Sequence, residues 1–332
     1  MLRVSEVIER SIAKGSSVAV KMHFGEEGNT GYVSPRYVKI ILEGLKDLKT
    51  KSFLTDSNTL YKGRRLDSKS HLALAKEHGF SYEALGVPVK IEDEAKPASV
   101  VEVDLNGQFV KKAKLVKSFL EADAVAGIAH FKGHMMTGFG GALKNIGMGV
   151  ASRKGKLEQH SSASPTIYID KCVGCSECIK FCPVNAISLI KDKAKIKDGI
   201  CIGCATCIGV CPSGAIDVTW EQGASLISQK MVEYTKAALL NKSQNQAFIN
   251  FALKITKECD CRAKDDPRVC PDLGIFASLD PVAIDKACVD MVNEKSGKDL
   301  FRELHPHRDW NLQLSYAQKI KLGTLDYELI RV

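Results

Sequence analysis

Hydrophobic positions along the chain alternate between two patterns. The runs at 17–24 (SVAVKMHF), 51–58 (KSFLTDSN), 122–131 (ADAVAGIAHF), 248–255 (FINFALKI) and 273–280 (LGIFASLD) are rich in apolar residues and carry a polar residue at or next to their last position. That pattern predicts strands buried on both faces. Helical spacing follows several of them: from Pro35, over 69–79, and from Pro281, where Asp280 is a capping residue and the proline suits a first helical turn. VPVKIE, SVVEVDL and FVKKAKLV read as extended segments, hairpins among them, and NLQLSYAQKIKLG reads as a helix stopped by Gly323. Strands alternating with helices predict an α/β scaffold with a parallel or mixed sheet. Strand ends at Phe24, Asp56, Phe131 and Asp280 are expected on one carboxyl edge, where open sheets place their ligands.

The pattern breaks in the middle of the chain. Eight of the twelve cysteines fall in two runs, Cys172, Cys175, Cys178, Cys182-Pro183 and Cys201, Cys204, Cys207, Cys211-Pro212. Each reads C-x2-C-x2-C-x3-C-P, the spacing of two-cluster bacterial ferredoxins, in which the fourth cysteine of each run serves the other cluster. The expected ligand sets are therefore Cys172, Cys175, Cys178 and Cys211 for one four-iron, four-sulfur cluster, and Cys201, Cys204, Cys207 and Cys182 for the second. KCVGCSECIKFCPVNAISL and ICIGCATCIGVCPSGAIDV align without a gap as an internal repeat. A zinc ribbon would show two separated cysteine pairs instead. Gly174 and Gly203 separate the first two cysteines of each run, where a small residue lets backbone amides approach sulfur. Short strands at TIYID and AIDVTW would lie side by side, so that residues 164–221 form an inserted α+β ferredoxin domain within a scaffold made of 1–163 and 222–332. SRKGKLEQHSSASP, just before the insert, reads as a linker.

Charge changes the picture little. The formal net charge of +8 counts each cysteine as neutral, and two clusters of about −2 each would bring it to about +4. The lysines are dispersed, so nucleic acid is not an expected partner. No apolar run reaches the length of a membrane span, and the first twenty residues mix acids with bases, so a cytoplasmic protein is expected.

Outside the insert, four constellations carry candidate chemistry. His23, Glu26 and Glu27 at one strand end, with His130 and His134 at another, could ligate a metal or move protons. Lys132-Gly133-His134 through Gly138, Gly140 and Gly141, running into a helix with Lys144, could hold an anion on backbone amides. Asp56 and Asn58 could orient a substrate, with Arg64 and Arg65 meeting its carboxylate or phosphate. Cys259-Asp260-Cys261, with Cys270 nearby, could bind a metal, form a redox disulfide, or remain reduced thiols. Cys288 sits in a helical apolar pattern and is expected in the core; His305 and His307 in HPHRDW are expected to be structural. No dinucleotide fingerprint is present, while a flavin site would leave little mark in sequence.

KMHFGEEGNTGYVSPRYV, LTDSNTLYKGRR, HFKGHMMTGFGGALKNIGMG, RKGKLEQH, CDC and ASLDPVAIDKA together resemble the family named as domain of unknown function 362, and within it the iron–sulfur-center members. The resemblance runs to LGTLDYELI near the C-terminus and implies an iron–sulfur protein without assigned chemistry. Two functional expectations follow. Clusters could exchange electrons, through a redox partner protein, with a scaffold site acting on a small molecule or metal, as an oxidoreductase. Alternatively, the protein is a carrier or cofactor-assembly partner that docks another enzyme.

Overall fold

The computed structural model describes the chain except residues 1, 62, 93–96, 161–164, 183, 198–199, 202–205, 218–223 and 243. Helix α1 (Leu2–Ser11) leads into β1 (Ser17–Lys21), and α2 (Pro35–Asp47) into β2 (Lys51–Asp56). Pro35 opens α2 behind Ser34, whose side chain caps the amide of Arg36. Helices α3 (Ser68–Glu77) and α4 (Tyr82–Leu85) lead to β3 (Val89–Ile91), and the hairpin β4 (Val100–Asp104) and β5 (Lys112–Val116) precedes α5 (Lys117–Glu121). Next come β6 (Ala124–His130), the small hairpin β7 (Lys132–His134) and β8 (Gly138–Gly140), α6 (Ala142–Gly147) and α7 (Arg153–His160).

The cysteine-rich segment contains β9 (Thr166–Ile167), α8 (Glu177–Lys180), the hairpin β10 (Ile187–Ile190) and β11 (Lys193–Ile196), α9 (Thr206–Val210) and β12 (Ile216–Asp217). The scaffold then resumes with α10 (Ala224–Leu239), β13 (Gln246–Ala252), β14 (Gly274–Ser278), α11 (Pro281–Ser296), α12 (Leu300–Leu304) and α13 (Asn311–Lys319).

One six-stranded sheet, ordered β14-β13-β6-β1-β2-β3, organises the scaffold. All its pairings are parallel except β13 with β14. Both faces are buried, as the unbroken apolar runs require. Val18 and Val20 pack with Ile8, Val38 and Ile41 on the side of α1 and α2. The intervening Ala19 packs with Phe53, Ile146 and Tyr234 on the side of α6 and α10. The chain leaves β1 toward β2 on one side and later places β6 on the other, so the direction of winding changes between β1 and β6. At such a switch point the crevice beyond the strands' carboxyl ends is open to function.

Three expectations are corrected. Because β14 runs antiparallel, Asp280 lies at the opposite edge from Phe24, Asp56 and Phe131. It caps α11 through the amides of Val282 and Ala283 and also accepts the Thr324 amide. The stretch read as a linker is the helix α7, with Leu157 and Gln159 buried; only 161–164 of it lie outside the described residues. Gly323 does not end α13, which stops at Ile320; it packs against the Asp280 carboxylate, where a Cβ would come within 2.1 Å. Strands β9 and β12 do pair, antiparallel, so entry and exit of the cysteine segment are adjacent.

Candidate functional site

Within the cysteine segment, Cys172, Cys175, Cys178 and Cys211 line one pocket with Leu189, Ala194 and Ile216 among its apolar walls. Burial raises the Cys178 thiol, and the neighbouring Cys175, Cys211 and Cys172 raise it further. Backbone amides point at the sulfurs: Ala194 N–H donates to Cys172 Sγ at 3.4 Å and Ala215 N–H to Cys211 Sγ at 3.2 Å. The sequence repeat has a structural counterpart, since Ala186 N–H donates to Cys182 Sγ, also at 3.2 Å and also four residues on. Gly174 has φ +68°, and a Cβ there would lie 2.5 Å from the Asp192 carbonyl oxygen. Backbone conformation and close approach therefore both call for glycine. Of the second ligand set, Cys207 is buried while Cys182 and Cys201 are half-buried; Cys204 and Gly203 lie outside the described residues. The thiols around the pocket could hold a four-iron cluster: the donors are soft, the walls apolar, and amides face the sulfurs.

This segment sits against the scaffold. Leu60, after β2, and Leu157, on α7, belong to the same hydrophobic cluster as Cys172, Cys178, Cys207 and Cys211. Leu66 packs on the backbone of Gly209, between Cys207 and Cys211.

Beyond the carboxyl ends of β1 and β2 lies a buried charge network. Lys21 Nζ meets Asp56 Oδ1 at 3.0 Å and also donates to Asn145 Oδ1 at 3.0 Å. Burial lowers the Lys21 ammonium, and the Asp56 charge opposes that shift. Burial by itself would raise the Asp56 carboxyl, but Lys21, His71 and His23 hold it well below the usual carboxylate range. Arg65 donates from Nε to Glu26 Oε2 at 3.1 Å, from Nη1 to His23 Nε2 at 2.7 Å, and from Nη2 to the Tyr61 hydroxyl. Gly25 N–H donates to His23 Nδ1 at 2.9 Å. Burial, reinforced by the Arg65 charge, pushes His23 well below the ordinary value, and a neutral ring, with one N–H, accepts from only one of these two donors.

Several expected ligand residues are occupied by protein partners. Asn58 bonds Ser68, the Glu92 carbonyl and His71. Arg64 faces Glu77 and Glu27 at the surface, and Arg65 faces Glu26, so neither guanidinium awaits an outside anion. His130 has Nδ1 2.9 Å from both Asp260 carboxylate oxygens and Nε2 2.8 Å from the Leu253 carbonyl. Both ring nitrogens therefore face protein groups, and neither faces an open coordination position.

The glycine-rich stretch is also corrected. It forms the β7–β8 hairpin, and the first turn of α6 already holds an internal carboxylate. Asp285 accepts from the amides of Ala142 at 2.7 Å and Leu143 at 3.0 Å. A Cβ on Gly141 would come within 2.2 Å of Asp285 Oδ1. Burial pushes the Asp285 carboxyl up to about 6. The glycines thus admit a carboxylate and close packing, Gly138 lying against Trp310. Lys132 and Lys144 turn toward the sheet edge. Lys132 Nζ meets Asp260 Oδ2 at 3.2 Å. Burial, reinforced by Lys132, lowers the Lys144 ammonium to about 7.

Cys259 and Cys261 are joined by a disulfide, with Cα atoms 5.4 Å apart. A ring nitrogen of His134 and the two sulfurs lie within 4.8 Å of one another, a grouping that could hold a metal ion. Cys270 is not part of it; it packs in the core with Ile255, Val289 and Phe301. Cys288 is fully buried on α11, as its pattern predicts. His305 is buried and bonded to the Lys257 carbonyl. Asp260, between the disulfide cysteines, ties this loop to the network through His130, Lys132 and its own carbonyl, which accepts from Glu26 N–H at 3.1 Å.

Sequence reading missed Lys21, Lys156 and Tyr61. Lys21 was legible as the single charge in an otherwise buried strand run. Lys156 donates to Ser57 and to the Asn58 carbonyl, and was hidden by reading α7 as linker. Tyr61 carries no pattern that separates it from a loop tyrosine.

Among the described residues, no helix is long and apolar enough to cross a membrane. No curated protein matches the chain. Similar solved structures include the following two. The lactate racemase apoprotein from Thermoanaerobacterium thermosaccharolyticum is 16% identical, with a TM-score of 0.42 over 83% of this chain and 51% of that one. A Thermotoga maritima protein solved as a structural-genomics target is 11% identical, with a TM-score of 0.46 over 90% of this chain and 58% of that one. The chain spans little more than half the length of either. Residues 18–290 match the family described as domain of unknown function (DUF362), and the chain belongs to that family.

Proposed function

We propose that the protein is an iron–sulfur electron-transfer protein whose cysteine segment exchanges electrons with a redox site at the carboxyl edge of the sheet. Cys172, Cys175, Cys178 and Cys211 would hold one four-iron cluster, and Cys201, Cys204, Cys207 and Cys182 the other. The observation that carries this reading is the pocket that brings Cys211 to the three cysteines of the first run. That crossed pairing is the one the repeat demands for cubane clusters, and a zinc ribbon would not use it. Each cluster, when bound, supplies one-electron redox chemistry.

The chain's own residues supply the rest. Leu60 and Leu66, after β2, and Leu157, on α7, seat the segment against the scaffold. Lys21, Arg65, Lys132, Lys144 and Lys156 surround the edge, whereas Asp56, Glu26 and Asp260 are its buried carboxylates. This excess of positive charge favours a small anionic substrate over a neutral one. A one-electron carrier protein would be the external partner. A second reading, in which the scaffold handles a metal ion, is favoured by the His134, Cys259 and Cys261 grouping.

Electron paramagnetic resonance on the reduced, anaerobically purified protein tests the proposal. Two magnetically interacting half-integer centres are expected in the wild type, and a single isolated one in Cys172→Ser. A spectrum without iron–sulfur signals in reconstituted wild type would overturn it.

A further inference from the structure

The Cys259–Cys261 pair is not needed to hold the fold together as a long-range staple, because a bond across one intervening residue closes almost no loop and removes little entropy from the unfolded chain. Its surroundings suit reactivity instead. Asp260 fixes the loop: its carboxylate meets His130 and Lys132, and its carbonyl accepts the Glu26 amide. The two sulfurs therefore stay close when the bond between them opens. His134 lies beside both sulfurs, and its Nδ1 accepts from the amides of Met136 and Thr137. With Nδ1 accepting, a neutral ring carries its proton on Nε2. Lys132 and Lys144 both act electrostatically on His134, and Lys132 also meets the Asp260 carboxylate between the two cysteines.

The loop also connects two places. On one side a packed path runs from Gly209 through Leu66 and Arg65 to Glu26 and Asp260. On the other, Cys259 lines a cleft of about 210 Å³ with Asn29, Thr30, Thr256, Lys264 and Arg268. That is smaller than the roughly 300–1,000 Å³ usual for drug-sized ligands, so it suits a substrate of few atoms.

The geometry points to Cys259 and Cys261 as a redox couple, the site at which the scaffold takes up two electrons and passes them, through Cys259, to a small disulfide entering this cleft. This rests on the electron-transfer reading above. In the first half, the S–S bond takes two electrons and two protons and becomes two thiols; the electrons arrive singly from a one-electron iron–sulfur reductant. In the second, the Cys259 thiolate attacks the substrate disulfide and expels one thiol. Cys261 then displaces the second, and the Cys259–Cys261 bond reforms. Electrons and protons balance, since two one-electron deliveries match one two-electron bond.

The test is anaerobic trapping with N-ethylmaleimide across a series of thiol buffers, read by mass spectrometry of the peptide containing residues 259–261. The inference expects the two alkyl groups to appear together in a reversible two-electron transition, whether or not the clusters are loaded. It also expects bis(2-hydroxyethyl) disulfide to form a mixed disulfide on Cys259 in Cys261→Ser, faster than on Cys261 in Cys259→Ser. Thiols that are alkylated at every buffer ratio, or protected until a chelator removes a bound ion, would overturn it. If the couple titrates in thiol buffer but a one-electron donor fails to reduce it in the cluster-loaded protein, the couple stands and the electron-transfer reading fails. Iron–sulfur signals without a titrating couple would mean the reverse.

Discussion

In the cysteine segment the reactive groups come from one short stretch of chain and turn their sulfurs into a shared pocket, with apolar walls and few competing side chains. At the carboxyl edge of the sheet the charged groups come from separated places: Lys21 at the end of β1, Asp56 at the end of β2, Arg65 in the following loop, His130 at the end of β6, Lys132 at the start of β7, Asp260 beyond β13. There they mostly satisfy one another. The first region turns four sulfurs onto one pocket; the second matches most of its buried charges against one another. A region of the first kind is defined by spacing, and one of the second kind by assembly.

The largest effect that would break this comparison lies in the first region. Cys211→Ser should lower iron and acid-labile sulfide from about eight to about four per chain, while Cys288→Ser, in the core, leaves them unchanged; metal and sulfide analysis reads both. Equal loss in the two variants would mean the cysteines act through folding alone. Next in size, Asp260→Ala should cost about 3–5 kcal/mol in chemical denaturation, because His130 and Lys132 lose the carboxylate that both share. The exposed Lys195→Ala should change stability by no more than about 0.5 kcal/mol. Leu157→Ala tests the seam between the regions. A loss of about 2–5 kcal/mol is expected from a fully buried leucine, with unfolding of the cysteine segment separating from that of the scaffold in amide hydrogen exchange.

A further effect is a pH slope. Lys144 is held at about 7 in the fold, below an unfolded value of about 10.4. Between those values the unfolded chain binds more protons, so its contribution makes stability rise with pH over that window. Denaturation midpoints of wild type should climb from pH 7 toward pH 10 relative to Lys144→Met, in which that slope is absent. On the acid side, Asp56 and Asp260 are held below their unfolded values. The stability they contribute is present above about pH 4 and is lost as pH falls below it.

The same contrast explains what could be read from the chain. Strands β1, β2, β6 and β13 were legible because both faces are buried and the runs are unbroken, and the half-buried edge strand β14 from its apolar run. The direction of β14 was not, because apolar runs look alike in either orientation and the long connection over 253–273 does not mark which way the chain returns. The paired ends of the cysteine segment followed from its repeat. Helix α7 was hidden by its lysines, glycine and glutamine, whose burial depends on Ser57, Tyr234 and the cysteine segment rather than on local pattern. His130 looked like a metal ligand until Asp260, 130 residues away, was seen on its Nδ1. The anion expected on the glycine-rich turn proved to be Asp285, 143 residues from the amide it binds. Partners that distant leave no trace in spacing.

The most direct test of the central claim is iron, acid-labile sulfide and zinc content of the wild-type protein purified without oxygen. About eight iron and eight sulfide per chain, with no stoichiometric zinc, is the result expected for two cubane clusters. Zinc bound to the two cysteine runs, with no sulfide recovered, would contradict it.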